Sequence, residues 1–287
     1  MPTAQINPIS TPLDNFPLVR SRDLEETRSN IALLYKRPIL EPRERVESFN
    51  ATINSCRLRN IGLSYSTYGI ALEFDFPQAE YFCQLFPIRG KGEIIYGGTS
   101  VGLSEHVGGV TSANVPHKLN ISADYAHLVL RISAQALTEK LVALTGATIG
   151  EPLRMNVSQN PKHPAAQMLQ QYLPLLVSTL SGGVPPFPTW WIAQTEQLLM
   201  TLFLCGHRHN YSHLLERDVP NAALWQVRQA EEYIETNAPR AVSSEELVQV
   251  TGVSYFSLFS AFRKLRGYSP LEFVARVRSK RETSGLR

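Results

Sequence analysis

The side chains with the clearest chemical potential lie in one segment near the carboxyl terminus, YFSLFSAFRKL, which begins at Tyr255. As a helix, this segment has one apolar face and a second face of aromatic, hydroxyl and cationic groups. Such a face suits DNA, because the amino-terminal half of a helix in the major groove reads base edges and cations contact phosphates. The predicted DNA-contacting residues are Tyr255, Phe256, Ser257, Phe259, Ser260, Arg263 and Lys264. The same reasoning places Arg266 near the phosphates.

The charge distribution agrees with this assignment. The chain has 287 residues and a formal net charge of +3. Residues 255–287 hold eight basic and two acidic side chains, a net +6, which leaves −3 for residues 1–254. A basic end on a near-neutral body indicates an anionic partner at that end. On charge alone, the alternative is an ordinary solvated helix face.

Two short helices are predicted to position this face. Ser243 and Glu246 have the spacing of a capping box, so a first helix begins at Ser244 and stops at Gly252. Ser254 then caps a second helix that runs to about Leu265. Two short helices joined by a glycine-containing turn are typical of a helix-turn-helix. The apolar residues expected to pack between them are Leu247, Val248, Val253, Leu258, Ala261 and Phe262.

The preceding part of the chain changes its hydrophobic period. From Ile53 to Ser133 short runs alternate with a period of two and are separated by glycines, which predicts a sandwich or small barrel. Its aromatic residues either line a ligand cavity or fill the core, and core filling is favoured for each: Tyr65, Tyr68, Phe74, Phe82, Phe86 and Tyr96.

Two helical stretches follow, at about 163–180 and 189–204, and the connection SGGVPPFP predicts an antiparallel hairpin. The residues expected to face the core include Met168, Leu169, Tyr172, Leu176, Trp191, Leu198, Leu199 and Leu202. The sequence leaves open whether this hairpin covers the barrel or forms a dimer interface.

Residues 224–278 resemble the first half of the DNA-binding domain of the AraC/XylS family of bacterial transcription regulators. The resemblance is carried by Ser243–Leu247, Gly252–Ser254, Leu258, Phe262, Arg263, Gly267, Ser269, Pro270, Phe273 and Arg278. It implies an N-terminal cupin-like barrel that senses a small molecule, and residues 53–133 are similar to the sensors of aromatic-compound regulators. It also implies promoter DNA, an effector of the aromatic class and a homodimer as partners, with no cofactor.

Two positions depart from the family pattern. The family has a second helix-turn-helix, whereas the linker helix expected from Ser269 to Arg278 is followed here by SKRETSGLR, with one apolar residue in nine. We therefore expect one unit only, in a C-terminally shortened form. Phe256 stands where family members often place Arg, and Phe contacts only thymine methyls. The alternative function is thus a sensor and dimerisation protein that has lost DNA binding.

Two groups of histidines raise a further alternative function, a cupin-type metalloenzyme. The first group is His106, His117 and His127, and the second is His207, His209 and His213. Cupin metal sites usually present His-x-His with a nearby Glu, and the first group lacks both; in the second, Gly206 and Asn210 indicate a helix end. We expect no metal site and no enzyme activity.

The remaining sequence features concern membrane contact, secretion and disulfide bonding. The longest apolar run, Leu198–Cys205, is too short to cross a bilayer, no secretory signal is evident, and three scattered cysteines form no CxxC pair. We expect a cytoplasmic α+β protein without membrane contact. The predicted parts are a sensing barrel in residues 1–155, a helical dimerisation region in 156–220 and a helix-turn-helix domain in 221–287.

Overall fold

The computed structural model describes residues 11–43, 48–147, 149–157, 160–182, 187–216, 220–237, 240 and 242–284. The strands in this part of the chain are β1 (Pro17–Ser21), β2 (Ile39–Pro42), β3 (Ala51–Arg57), β4 (Ile61–Thr67), β5 (Leu72–Phe76), β6 (Tyr81–Arg89), β7 (Gly92–Tyr96), β8 (Thr99–Leu103), β9 (Gly109–Thr111), β10 (His117–Ile121) and β11 (Ala126–Ser133). The helices are α1 (Leu24–Leu34), α2 (Ala134–Thr145), α3 (Pro164–Ser181), α4 (Thr189–Gly206), α5 (Ser212–Leu215), α6 (Pro220–Asn237), α7 (Ser244–Thr251), α8 (Tyr255–Arg266) and α9 (Pro270–Ser284).

The chain divides into two compact units, and both are discontinuous in sequence. The first unit comprises Met1–Leu137 and Leu153–Asn210, and the second comprises Thr138–Pro152 and Tyr211–Arg287. The second unit therefore begins within α2, before the hairpin of the first unit. No helix in the described residues is long and apolar enough to span a bilayer.

The strands of the first unit form two antiparallel sheets. The six-stranded sheet has the order β1-β3-β4-β11-β6-β9, and the five-stranded sheet has the order β2-β5-β10-β7-β8. Of the predicted alternatives, a sandwich or a small barrel, a closed barrel is not seen, because no ladder joins the edge strands of the two sheets within the described residues. Strand periodicity marks a buried face equally well in a sandwich and in a barrel, so it does not determine closure.

The core of the first unit follows directly from this periodicity. Along β5 the side chains of Leu72, Phe74 and Phe76 are buried, while those of the intervening Glu73 and Asp75 are only half-buried. Lys118 on the neighbouring β10 binds the Glu73 carboxylate at 2.8 Å. Alternate side chains therefore point to opposite sides of the sheet, and the apolar side supplies the core.

Helices α3 and α4 form the predicted hairpin, but its faces differ from the prediction. Leu169, Leu176 and Leu199 are buried as expected, whereas Met168 is 55% exposed and Leu198 is 40% exposed. Each of these two residues precedes a buried leucine, Leu169 or Leu199, so the buried face of each helix excludes a residue that the sequence assigned to it. The hairpin therefore has an apolar outer surface as well as an apolar inner one.

Glu196 attaches α4 to the turn between β3 and β4. Its carboxylate accepts hydrogen bonds from the Asn60 backbone N–H at 2.5 Å and the Ile61 backbone N–H at 3.1 Å. The Asn60 side-chain amide also donates to it at 3.1 Å. The side chain is only 3% exposed, and these donors compensate the burial of a carboxyl group.

In the second unit, α6 packs against α7, α8 and α9. The buried apolar residues of this core are Val227, Ala230, Ile234, Val242, Leu247, Leu258, Ala261, Phe262 and Val274. Helix α9 continues to Ser284, six residues beyond the expected end at Arg278. Apolar patterning marks only the packed part of a helix, and a polar continuation needs no apolar face.

The residues from α2 are held in the second unit by polar contacts. The Gln226 side chain donates to the Ala143 carbonyl at 3.1 Å, and Lys140 Nζ donates to the Gly252 carbonyl at 3.2 Å. These bonds join the end of α2 to α6 and to the turn between α7 and α8.

Candidate functional site

A cavity of about 30 Å³ lies in the core of the first unit. Side chains from α1 and from both sheets surround it, because β5, β6, β7, β10 and β11 direct alternate residues inward. The lining residues are Ile31, Tyr35, Tyr68, Phe74, Phe76, Tyr81, Cys83, Leu85, Ile94, His117, Leu119, His127 and Val129. Of the aromatic residues singled out from the sequence, Tyr68 and Phe74 line this cavity. The remaining four, Tyr65, Phe82, Phe86 and Tyr96, do not line it.

Two histidines bring polar atoms to the cavity wall. His127 is 5% exposed, and its Nδ1 atom has no hydrogen-bond partner among the described residues. The His117 ring stacks on Phe76, with 4.9 Å between the ring centres, and its Nδ1 lies 3.4 Å from the Val115 carbonyl. Burial lowers the pKa of both imidazoles to about 4, so both are neutral at pH 7.

The other polar groups on the wall are neutral as well. Burial raises the pKa of the Tyr35 hydroxyl, which lies 3.2 Å from Ser64 Oγ, and raises the pKa of the Cys83 thiol to about 12. The Arg131 guanidinium lies outside the lining residues, 5.1 Å from the Tyr35 ring centre and 5.8 Å from that of Tyr81. It donates a hydrogen bond to the Leu34 carbonyl. The described cavity wall therefore presents aromatic surface and uncharged polar atoms.

Two histidines of the second group, His207 and His209, lie within hydrogen-bonding distance of other residues of the first unit. His207 Nε2 lies 2.9 Å from Gln84 Oε1, and His209 Nε2 lies 3.2 Å from the Leu204 carbonyl. Among the residues that the structure describes, no group of three or more His, Cys, Asp or Glu side chains is arranged to hold a metal ion.

In the second unit, local signals fix the geometry of α7 and α8. Ser243 Oγ accepts from the Glu246 backbone N–H at 3.2 Å, and Glu246 Oε2 accepts from the Ser243 N–H at 3.0 Å, which completes the capping box. Gly252 ends α7 with a φ of +66°, a left-handed conformation that glycine adopts without strain. Ser254 Oγ then accepts from the Ser257 N–H at 3.2 Å and starts α8. Both helix starts agree with the sequence prediction.

The residues predicted to contact DNA share one face of α8. All are exposed except Tyr255, which is half-buried, and Phe256 reaches 80% exposure. Arg263 binds the Glu272 carboxylate at 3.0 Å and lies 5.6 Å from the Phe259 ring centre. The face consists of Tyr255, Phe256, Ser257, Phe259, Ser260, Arg263 and Lys264.

Arg266 differs from these residues. Its guanidinium forms two hydrogen bonds with the Glu231 carboxylate, at 2.8 and 2.9 Å. The paired geometry ties the end of α8 to α6, so Arg266 has a structural contact where the sequence suggested a phosphate contact.

Residues 31–204 match the sequence model of the family described as AraC-binding-like domain, which covers more than half of the chain. The chain belongs to this family. The predicted relationship to AraC-type regulators is thereby confirmed. No curated protein shows significant sequence similarity to the chain.

Solved structures similar to this AraC-binding-like protein are distant. The AraC-like transcriptional activator CuxR shows 15% identity and a TM-score of 0.49, with 91% of each chain covered. The EutQ protein of Clostridium difficile shows 16% identity and a TM-score of 0.24, over 29% of this chain and 70% of the other. A predicted oxalate decarboxylase of Thermotoga maritima shows 13% identity and a TM-score of 0.25, over 33% of this chain and 91% of the other. These scores carry no inference about function.

The family match covers only part of this AraC-binding-like protein. It includes the cavity, β2 to β11 and most of the α3–α4 hairpin, while α6 to α9 lie beyond residue 204. The match therefore covers most of the first unit, with its cavity, and the Thr138–Pro152 segment of the second.

Proposed function

We propose that the protein is a DNA-binding transcription regulator of the AraC/XylS type that responds to a small-molecule effector. The effector binds in the cavity of the first unit, and α8 contacts promoter DNA. Membership of the AraC-binding-like domain family supports the first part. The observation that carries the second part is the division of α8 into a packed apolar face and an exposed face of aromatic, hydroxyl and cationic groups.

The packed face holds α8 at a fixed angle. Leu258 and Phe262 are fully buried, and Ala261 is 8% exposed, within the core formed with α6. The 12 residues of α8 give a length of about 18 Å. A helix of this length enters a major groove about 12 Å wide, where its amino-terminal half meets base edges. In this arrangement Phe256 and Ser260 lie against bases.

The cations at the carboxyl end of α8 are suited to phosphates. Lys264 is exposed, and Arg263 is bound to Glu272 in an ion pair whose two side chains are each 48% exposed. Exposed ion pairs contribute about 0–1 kcal/mol, so a phosphate competes readily for the Arg263 guanidinium. The expected DNA complex has Arg263 and Lys264 on the backbone.

The outer surface of the hairpin supports a homodimer. Met168 and Leu175 of α3 and Leu198 of α4 are 55%, 63% and 40% exposed. Exposed apolar side chains are a common feature of interaction surfaces. We propose that two copies pair through this surface, that the protein works in the cytoplasm, and that it has no catalytic activity.

Fluorescence anisotropy with promoter DNA from upstream of the gene, at salt concentrations from about 50 to 200 mM, tests DNA binding. We expect affinity to fall with salt, and Lys264→Gln to reduce the slope of log K against log salt by about one. Arg228→Gln, at an exposed position of α6, is the matched control and is expected to leave the slope unchanged. Absence of binding at low salt, or equal slopes for the two variants, contradicts the proposal.

Sedimentation velocity tests the dimer separately. Leu175→Asp is expected to shift the protein towards a monomer, and Gln171→Asp, at another exposed position of α3, serves as the control for added charge. A monomeric wild-type protein at micromolar concentration contradicts this part of the proposal.

A further inference from the structure

We infer that a groove beside α3 binds a small primary amine with an aliphatic chain, and that the Glu105 carboxylate and the Gln170 backbone carbonyl hold its ammonium group. This α3 groove lies on the first unit and shares no lining residue with the core cavity. The inference goes beyond the proposed function, because it adds a second ligand site for a different chemical class. The lining residues that carry it are Phe86, Ile88, Glu105, Leu128, Gln170 and Pro174.

The α3 groove has the size of a ligand site. Its volume is about 420 Å³, whereas the core cavity has a volume of about 30 Å³. Small-molecule sites usually measure about 300–1,000 Å³. The lining residues come from the end of β6, the turn between β8 and β9, β11 and the middle of α3. A small amine therefore fits here without movement of the wall.

One side of the α3 groove suits an aliphatic chain. Phe86 and Leu128 are paired across β6 and β11, so their side chains lie on the same face of the six-stranded sheet. Phe86 is half-buried and Leu128 is buried. Ile88, two residues further along β6, is 43% exposed and lines the same groove. A chain lying over these side chains removes apolar surface from water on both sides of the contact.

The other side of the α3 groove carries an unpaired carboxylate. Glu105 is exposed, and its side chain forms no hydrogen bond or ion pair with the described residues. No Lys, Arg or Asp is among the described lining residues. Lys91 and Asp124 line an adjoining groove that includes Glu105, and Arg89 donates to the Asp124 carbonyl. These two cations do not pair with Glu105, so its carboxylate favours a cationic ligand over an anionic one.

Pro174 adds a backbone acceptor to the same groove. A proline inside a helix has no N–H, so the carbonyl four residues earlier, that of Gln170, lacks the donor that an α-helix supplies. Both residues line the α3 groove. The Gln170 side chain is half-buried and forms no hydrogen bond with the described part of the chain. This wall therefore offers a main-chain acceptor and a side-chain acceptor.

These acceptors match a primary ammonium group. An ammonium has three N–H donors and no acceptor, and a primary alkylammonium stays protonated at pH 7 as a lysine side chain does. The Glu105 carboxylate and the Gln170 carbonyl accept from two of the donors, and water accepts from the third. A hydroxyl offers a single donor without charge, and a carboxylate offers no donor. The α3 groove therefore selects an amine over the alcohol or the acid with the same chain.

Isothermal titration of the full chain at pH 7, without DNA, tests the inference with hexylamine, 1-hexanol, hexanoate and ethylamine. We expect hexylamine to bind about tenfold more tightly than hexanoate, which has the wrong charge, and than ethylamine, which has too short a chain. In Glu105→Gln the affinity for hexylamine should fall about threefold to fivefold, while that for 1-hexanol stays the same. Glu80→Gln changes an exposed glutamate of the first unit outside the groove and should alter neither affinity.

Pro174→Ala tests the backbone acceptor. It gives residue 174 an N–H that bonds to the Gln170 carbonyl, so hexylamine should bind about threefold less tightly. The urea midpoint of the first unit should stay the same or rise, because the substitution completes the helix. Pro164→Ala is the matched control and should leave the affinity unchanged. Pro164 is the first residue of α3, where an N–H has no helical acceptor.

Three outcomes overturn the inference. The first is hexanoate or ethylamine binding as tightly as hexylamine, or no binding of hexylamine at all. The second is an affinity for hexylamine that is the same in the wild type, Glu105→Gln and Pro174→Ala. The third is an affinity that falls as the protein concentration rises, which would assign the α3 groove to a second copy of the chain. Because no DNA is present and the core cavity keeps its residues in every variant, these outcomes are independent of the proposed regulator function.

Discussion

Gly252 and Gly267 end α7 and α8 in the same left-handed conformation, with φ of +66° and +79°. Their surroundings differ. A Cβ atom on Gly252 would lie 2.7 Å from the Ala143 Cβ, whereas a Cβ atom on Gly267 would meet nothing within 4 Å. Alanine at each position therefore separates the strain of the backbone from the effect of the contact.

The two substitutions should differ in size. A left-handed conformation costs a residue with a Cβ about 1–2 kcal/mol, and this is the whole expected effect of Gly267→Ala. Gly252→Ala adds a carbon–carbon contact far inside the normal separation of about 3.5–4.0 Å. Overpacking of this kind typically costs about 1–3 kcal/mol. We therefore expect Gly252→Ala to destabilise the second unit by about 2–5 kcal/mol, and to lose part of that effect when combined with Ala143→Gly.

Urea unfolding followed by tryptophan fluorescence measures the free energy of unfolding of the second unit. The chain has three tryptophans, and Trp190 and Trp191 lie in the first unit, so Trp190→Phe and Trp191→Phe leave Trp225 as the reporter of the second. The reasoning is refuted if Gly252→Ala is no more destabilising than Gly267→Ala. It is also refuted if Ala143→Gly recovers none of the loss.

Three further predictions concern single side chains. Ser243→Ala removes the acceptor of the capping box and should destabilise the second unit by about 1 kcal/mol in the same urea assay; an unchanged midpoint would contradict the cap. Glu196→Ala leaves the Ile61 N–H without its acceptor and should cost the first unit about 3 kcal/mol, with Glu196→Gln costing less; equal losses would exclude the hydrogen bonds as the cause. Burial lowers the pKa of His127 and His207 from 6.5 to about 4, so the unfolded chain takes up protons first as the pH falls. The free energy of unfolding of the first unit should then fall by about 3 kcal/mol per histidine between pH 7 and 4. A free energy of unfolding that stays constant across that range would contradict this prediction.

The α7–α8 pair was predictable because its signals are local. Ser243, Glu246, Gly252 and Ser254 lie within 12 consecutive residues, and each determines the backbone of its immediate neighbours. The same locality explains the error at Arg278. The residues after it lack an apolar stripe, but a helix continues through polar residues when nothing terminates it.

The cavity was not predictable in the same way. Tyr35, Tyr81 and His127 are far apart in sequence and meet only through the pairing of β6 with β11 and the packing of α1. The sequence offered His127 only as a metal ligand to be discounted, whereas the fold makes it a buried neutral group. Its environment depends on which strands surround it, and no local pattern contains that information. Glu196 was missed for the same reason, since its partners lie about 135 residues earlier.

The discontinuous second unit has a consequence for the boundaries of recombinant fragments. A fragment that starts at Tyr211 omits Thr138–Pro152, which belongs to the same compact unit. It leaves Gln226 without the Ala143 carbonyl and the Gly252 carbonyl without the Lys140 ammonium group. A helical fragment cut at the apparent linker would thus expose a surface that the intact chain covers with its own residues. Dissection of this protein is better done by point substitution within the full chain than by separating its halves.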